Sequence, residues 1–260
     1  MPSLEGLGIV ARSPGEIAAA LAAAAGPDER DPAMHAGAMP DFSAREGAPP
    51  LRRVGVVREA LASLAEGERT AFAAAVEGLA AAGLEMREVA LPSLAEFTLV
   101  HRIVGAVEAS SSCGKFDGVR YGCRASGAKN WNEMYLKTRA ASFGALLKAL
   151  LFQGAYFQFE NYAAFEKAGR IRARLDQETE KLFAGVDALV LPASRRDGEA
   201  AGDGIAGVYE AGFFTLPANV VGLPALHIPA RNAVGGMQLL GRRMADPGLL
   251  ALAGCLSQKG

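Results

Sequence analysis

An α/β fold, with a mixed sheet covered by helices on both faces, is the class this sequence predicts. Three observations carry it. Residues 53–91 read as strand, helix, strand, a βαβ order that favours parallel pairing. Residues 213–241 hold almost no charge, and their prolines and glycines fall between short apolar runs rather than inside them. Val186–Pro192 is another such run. Strands with so little polar surface belong inside a sheet covered on both sides.

The elements follow in order. Ser13, Pro14 and Glu16 make a capped start for a helix over Glu16–Ala25, which Gly26-Pro27 stops. Residues 27–50 lack periodicity and read as a surface loop; its His35 has no second histidine or cysteine at ligand spacing, so it reads as a solvated side chain rather than a metal ligand. Arg53–Val57 is a strand, Glu66–Ala82 a helix closed by Gly83, and Leu84–Leu91 a strand. Gly55 stands alone: neither GxGxxG nor GxxxxGK[ST] occurs, and no nucleotide cofactor is expected. Ser93 and Glu96 form a second capping box, opening a helix with Phe97, Val100, Val104 and Val107 on one side.

Asn130–Leu151 and Tyr156–Phe183 show helical spacing, with a break expected near Gln153-Gly154. Residues 166–181 mix both charge signs, which is a solvated face with i,i+4 pairs rather than an RNA-binding patch. Val186–Pro192 is a buried strand, and Ala193–Gly207 a polar, glycine-rich loop. Ala225–Pro229 and Met237–Leu240 read as two buried strands, their turn using Gly235-Gly236. A last helix starts at Asp246-Pro247 and runs to Leu256.

Composition narrows the function. The 260 residues are 50% hydrophobic and 21% charged with net charge -1, enough for one large domain or two small ones and without a global basic field for nucleic acid. No apolar run is long enough to span a bilayer, and the first residues lack a signal-peptide pattern. Cys113, Cys123 and Cys255 form no CxxC pair, which fits a reduced, cytoplasmic chain. Ser110, Ser111, Ser112 and Cys113 are nucleophile types, yet a serine needs a base within hydrogen-bond reach. His101 precedes Ser110 by about two helical turns, so close packing of small residues explains the run better. No metal, cofactor or catalytic residue is expected.

Several motifs share one register. Ser3–Arg12 resembles a segment "SLDxxGPxxR", and Phe116–Gly122 (FDGVRYG) a run typical of transamidase A subunits. Asp187–Pro192 stands where "DxxxxPTxP" would, and Asn219–Ala225 and Gly236–Gly241 are similar to "NLAGLPA" and "GLQxIG". On these residues the chain resembles the C-terminal half of amidase-signature enzymes, most closely the A subunits of glutamyl-tRNA(Gln) amidotransferases. The resemblance implies a partial amidase-signature fold, a single truncated domain over residues 1–260.

It also implies what this chain would lack. Family chemistry uses a lysine and two serines, the bridging serine activating a nucleophile while backbone N–H groups hold the oxyanion. Those residues belong upstream of the segment matching Ser3, and no GGSS occurs. The arginine expected to clamp a glutamine carboxylate falls at Leu150, the aspartate suited to its ammonium at Gly212, and a tyrosine near His101. The "PTxP" loop has become Pro192-Ala-Ser-Arg195. Tyr121 and Asn219 match positions near the remnant cleft, where packing and backbone hydrogen bonding account for them equally well.

The expectation is therefore a catalytically incomplete homologue, an interaction or scaffold protein. The alternative is an amidase or transamidase subunit, hydrolysing the glutamine amide for Gln-tRNA formation, completed by a separate chain. Expected partners are a B-type or C-type amidotransferase subunit or a second copy, since a halved sheet exposes apolar edges. tRNA would be involved only indirectly, and no membrane.

Overall fold

Five strands form one mixed sheet in a computed structural model that describes residues 1–30, 39–42, 51–194, 204–229 and 236–258. His35, Arg195 and Gly235 lie outside the described residues. The strands are β1 (Arg53–Val57), β2 (Glu85–Val89), β3 (Ala188–Pro192), β4 (Ala225–Ile228) and β5 (Met237–Gly241), in the order β2-β1-β3-β5-β4. β1 runs parallel to β2, the pairing the βαβ order favours, and also to β3, while β5 is antiparallel to β3 and β4. Every residue of β3 and β5 is buried, so both faces of the sheet centre are covered, as two apolar runs without alternation predict.

The helices are α1 (Pro14–Ala24), α2 (Arg58–Ala62), α3 (Glu66–Ala81), α4 (Leu94–Ser112), α5 (Trp131–Ser142), α6 (Ala145–Phe159), α7 (Tyr162–Leu182), α8 (Gly204–Ala211), α9 (Leu216–Val221) and α10 (Asp246–Gln258). The chain divides into two compact units. The larger, residues 6–98 and 173–260, holds the whole sheet; the smaller comprises residues 1–5 and 99–172.

In the larger unit the sheet is tied at one end by Asp187. Its Oδ2 accepts the N–H groups of Arg52 (3.0 Å) and Arg53 (2.8 Å), and its Oδ1 accepts Nη2 of Arg53 at 2.7 Å. Burial pushes this carboxyl up, but the hydrogen bonds from Arg53 and the two N–H groups outweigh it, leaving the pKa at about 2. Gly55 is a packing glycine: a Cβ there would come within 2.9 Å of Val89 and 3.0 Å of Leu189.

Gln238 is a polar side chain buried in the core of the sheet. It donates from Nε2 to the carbonyls of Pro192 (3.0 Å) and Phe214 (2.7 Å), linking β5 to β3 and to the approach to α9. Gln238→Leu strands both carbonyls in an apolar setting. It is expected to cost about 2 kcal/mol, read from the urea midpoint of unfolding.

Three expectations change here. β4 is the outermost strand rather than a buried one: with a neighbour on one side only, it alternates exposed and half-buried. The expected loop Ala193–Gly207 gives way at Gly204 to α8, where Ile205, Val208 and Tyr209 supply helical spacing that the glycines obscure. The helical stretch 130–183 breaks at Phe143-Gly144 and Glu160-Asn161, not at Gln153-Gly154. Phe143 turns extended and buries its ring, and Gly144 opens α6.

Gly154 lies inside α6 because α4 crosses it there. A Cβ at 154 would sit 2.5 Å from Cβ of Ser110 and 2.7 Å from the carbonyl carbon of Ala106. This contact belongs to the smaller unit and is the physical role of the small residues at the end of α4.

Candidate functional site

Two groups of polar residues in the smaller unit are positioned by the fold. The first gathers around Ser3. Its N–H donates to Oε2 of Glu108 at 3.0 Å and its hydroxyl donates to Oε1 of the same side chain. Arg172 completes the latch, Nη1 donating to the Ser3 hydroxyl and Nη2 to the Ser3 carbonyl, both at 2.6 Å. A serine beside a carboxylate looks like a nucleophile with a base. Arg172, however, holds the Ser3 hydroxyl and carbonyl together while Glu108 holds its N–H, so the geometry serves to hold residues 1–5 against α4 and α7.

His101 neighbours this latch. Burial lowers its pKa, Glu108 opposes that shift, and the Arg172 charge adds to it. A depressed histidine pKa favours the folded state above the usual value near 6.5 and withdraws that support as the pH falls below it. Among the serines that precede Cys113, Ser112 donates to the Glu108 carbonyl at 2.7 Å, which is helix back-bonding rather than activation. Ser110 faces Gly154, and Ser111 is exposed.

The second group is the loop after α4. Asp117 is buried and its Oδ1 accepts the N–H groups of Val119 (2.8 Å) and Arg120 (3.0 Å), which hold its carboxyl below the ordinary range. Gly118 (φ 76°) and Gly122 (φ 81°) supply the left-handed conformations of the turn, and the Gly118 N–H donates to the Tyr121 carbonyl at 2.9 Å. Arg124 Nε donates to the Gly118 carbonyl at 2.7 Å, and the Thr138 hydroxyl accepts the Ala125 N–H at 3.1 Å. The turn presents Tyr121 with 56% of its surface exposed. Tyr121 packs edge-on to Phe116 with ring centroids 6.4 Å apart, and Lys115 lies 5.3 Å and 5.8 Å from the ring centres of Phe116 and Tyr121. Arg124 lies 5.9 Å from the ring of Trp131.

The other positions singled out by sequence are distributed as follows. Asn219 is half-buried in α9 and belongs to the larger unit, whereas Tyr121 belongs to the smaller. Leu150 is half-buried in α6. Gly212 follows α8, its carbonyl accepting the Thr215 hydroxyl at 2.9 Å. Neither can hold a carboxylate or an ammonium group. Among the described residues no cluster of three His, Cys, Asp or Glu could hold a metal ion, and no helix is long and apolar enough to cross a membrane. Sequence reasoning misses Lys115 and Trp131; the fold-back around Asp117 reveals them, and the one available signal is a single tryptophan directly after the α5 cap Asn130.

Comparison with known proteins gives this geometry a setting. The Amidase family model matches residues 1–250. The A subunit of glutamyl-tRNA(Gln) amidotransferase from Granulibacter bethesdensis is 34% identical over 269 residues, covering 98% of this chain and 54% of the relative. Among solved structures, the A subunit of the Thermotoga maritima glutamyl-tRNA(Gln) amidotransferase superposes with a TM-score of 0.69 at 22% identity, covering 96% of this chain and 51% of that one. The native peptide amidase of Stenotrophomonas maltophilia superposes with a TM-score of 0.68 at 22% identity, covering 96% and 52%. These two likenesses speak for a shared fold. The chain spans about half the length of the curated relatives it matches, 54% for the Granulibacter protein. By the family match across most of its residues and by its likeness to these A subunits, the chain belongs to the amidase family.

Proposed function

We propose that this amidase-family chain performs no amide hydrolysis by itself and acts as an interaction or scaffold component. The observation that carries the reading is the chemistry at two positions. Where the resemblance expects an arginine and an aspartate to grip the two ends of glutamine, this chain has Leu150 and Gly212. An apolar side chain and a missing one supply no opposite charge, so glutamine loses both anchors. The state of Ser3, Ser110 and Ser112 supports the same reading, since each is engaged in packing or in a structural hydrogen bond. The proposed setting is the cytoplasm, with a B-type or C-type amidotransferase subunit or a second copy as partner.

A second reading has one observation in its favour. The two sheet edges differ: β2 carries Glu85, Arg87 and Glu88, with ion pairs Arg87–Glu85 (2.7 Å) and Arg58–Glu88 (3.4 Å), while β4 (Ala-Leu-His-Ile) carries no carboxylate, lysine or arginine. Charges blunt an edge against pairing, and an uncharged edge accepts another strand. A separate chain bearing the lysine and serines would complete the fold there.

The deciding measurement is glutamine hydrolysis by the purified chain. No ammonia above the rate without protein is expected. Turnover that disappears in Ser110→Ala, Ser111→Ala or Ser112→Ala would overturn the first reading. Turnover that appears only with a second chain supplying the lysine and serines would establish the second.

A further inference from the structure

The loop and helix start between Cys113 and Arg139 concentrate positive charge in a nearly neutral protein. Lys115, Arg120, Arg124, Lys129, Lys137 and Arg139 face only Asp117 and Glu133 as acidic residues in this stretch. Asp117 is buried, with Oδ1 taken by backbone N–H groups and Oδ2 3.6 Å from Nε of Arg120, which is otherwise exposed, and Glu133 accepts from Lys137 at 2.9 Å and from the Lys129 N–H at 2.6 Å. Three other cations meet rings or carbonyls, Arg139 lying 5.1 Å from the Phe143 ring centre and donating to the Cys113 carbonyl. Lys115 lies over Phe116 and Tyr121, and Arg124 over Trp131.

The rings are themselves exposed, Trp131 by 62% and Tyr121 by 56%, although burying an aromatic side chain is worth about 2 kcal/mol or more. Arg124 joins the two, since it holds the Gly118 carbonyl of the Tyr121 turn while it lies against Trp131. The surface is therefore continuous, and the Asp117 turn holds it in place before any ligand arrives.

We propose that this surface, made by Lys115, Phe116, Arg120, Tyr121, Arg124 and Trp131, binds single-stranded nucleic acid. The chemistry is alternating. A base stacks on an exposed ring, and the cation beside that ring meets the adjoining phosphate; any base has a π-face, so the recognition tolerates sequence. A duplex keeps its bases stacked on each other and cannot use the rings. An acidic protein segment would use the cations and leave the rings unfilled.

The chain contains one tryptophan, so its fluorescence reports directly on the proposed stacking. The experiment titrates the full chain with a 12-nucleotide oligouridylate and, separately, with oligothymidylate of equal length; a duplex of that length and poly-glutamate serve as controls. Quenching by one or both single strands is expected, and their ratio tells RNA from DNA. With about three phosphates neutralised, raising salt from ~50 to ~200 mM weakens affinity by about 20-fold. In anisotropy with a labelled strand, Trp131→Leu and Tyr121→Leu each weaken binding tenfold or more. Lys115→Gln, on an exposed side chain, weakens binding and flattens its salt dependence without changing the melting temperature. The proposal is overturned if neither strand binds, if poly-glutamate or the duplex binds as tightly, or if affinity survives both aromatic replacements.

Discussion

Gly154→Ala is expected to lower the stability of the smaller unit by about 3 kcal/mol, against the usual gain from placing alanine in a helix. The added methyl meets the main chain of Ala106, whose carbonyl carbon would be 2.7 Å away, and the Cβ of Ser110 at 2.5 Å. Backbone cannot rotate aside as a long side chain can, so α4 and α6 must separate and lose contact along their crossing. Gly169→Ala in α7 provides the contrast. That glycine is exposed with open space around it, and the same substitution should stabilise by about 0.5–1 kcal/mol. Urea midpoints of the two variants test the pair: equal effects would mean that Gly154 is not a contact glycine.

Removing the Asp187 carboxylate has the second large effect. Asp187→Ala leaves the N–H groups of Arg52 and Arg53 and the Arg53 guanidinium without their acceptor at the entry to two central strands. A loss of about 3 kcal/mol is expected at neutral pH. The pH dependence has a definite sign. The folded pKa of about 2 lies below the unfolded value, so the carboxylate stabilises fully above about pH 4, and that support drains away as the pH falls through about 2. Allowing for solvent screening of a partly exposed pair, the drop amounts to roughly 1–2 kcal/mol. Asp187→Asn should remove most of that acid-limb slope. A variant whose acid limb matches the parent would refute this assignment.

The sheet was legible where periodicity and punctuation agree. Val186–Pro192 and Met237–Leu240 are uninterrupted apolar runs, and they became the fully buried strands β3 and β5. Ala225–Ile228 has the same composition and a different fate, because whether a strand has one neighbour or two is a property of topology that its own residues do not encode. Glycine misled twice. At Gly154 it suggested a break, although its reason is a helix crossing with Ala106 and Ser110 far away in sequence. In 204–207 it suggested a loop, although these residues open α8 and Gly207 is buried in it.

The motifs singled out Tyr121 and Asn219, which lie in different units, but not the residues around Tyr121. The Ser3 latch joins residues 169 positions apart, and no local pattern announces it. The cation–ring surface depends on one buried aspartate folding a seven-residue motif back on itself, which spacing alone does not reveal.

The strand order carries a consequence for biosynthesis. Arg52, immediately before β1, waits for Asp187, 135 positions later, before it gains the acceptor that anchors it. At about 5–20 residues per second a ribosome needs roughly 7–27 s to cover that distance. Through that interval β1 and β2 can pair only with each other, and the flank destined for β3 stays open on the nascent chain. Chaperone occupancy during translation should therefore be greatest between the emergence of β2 and that of β3.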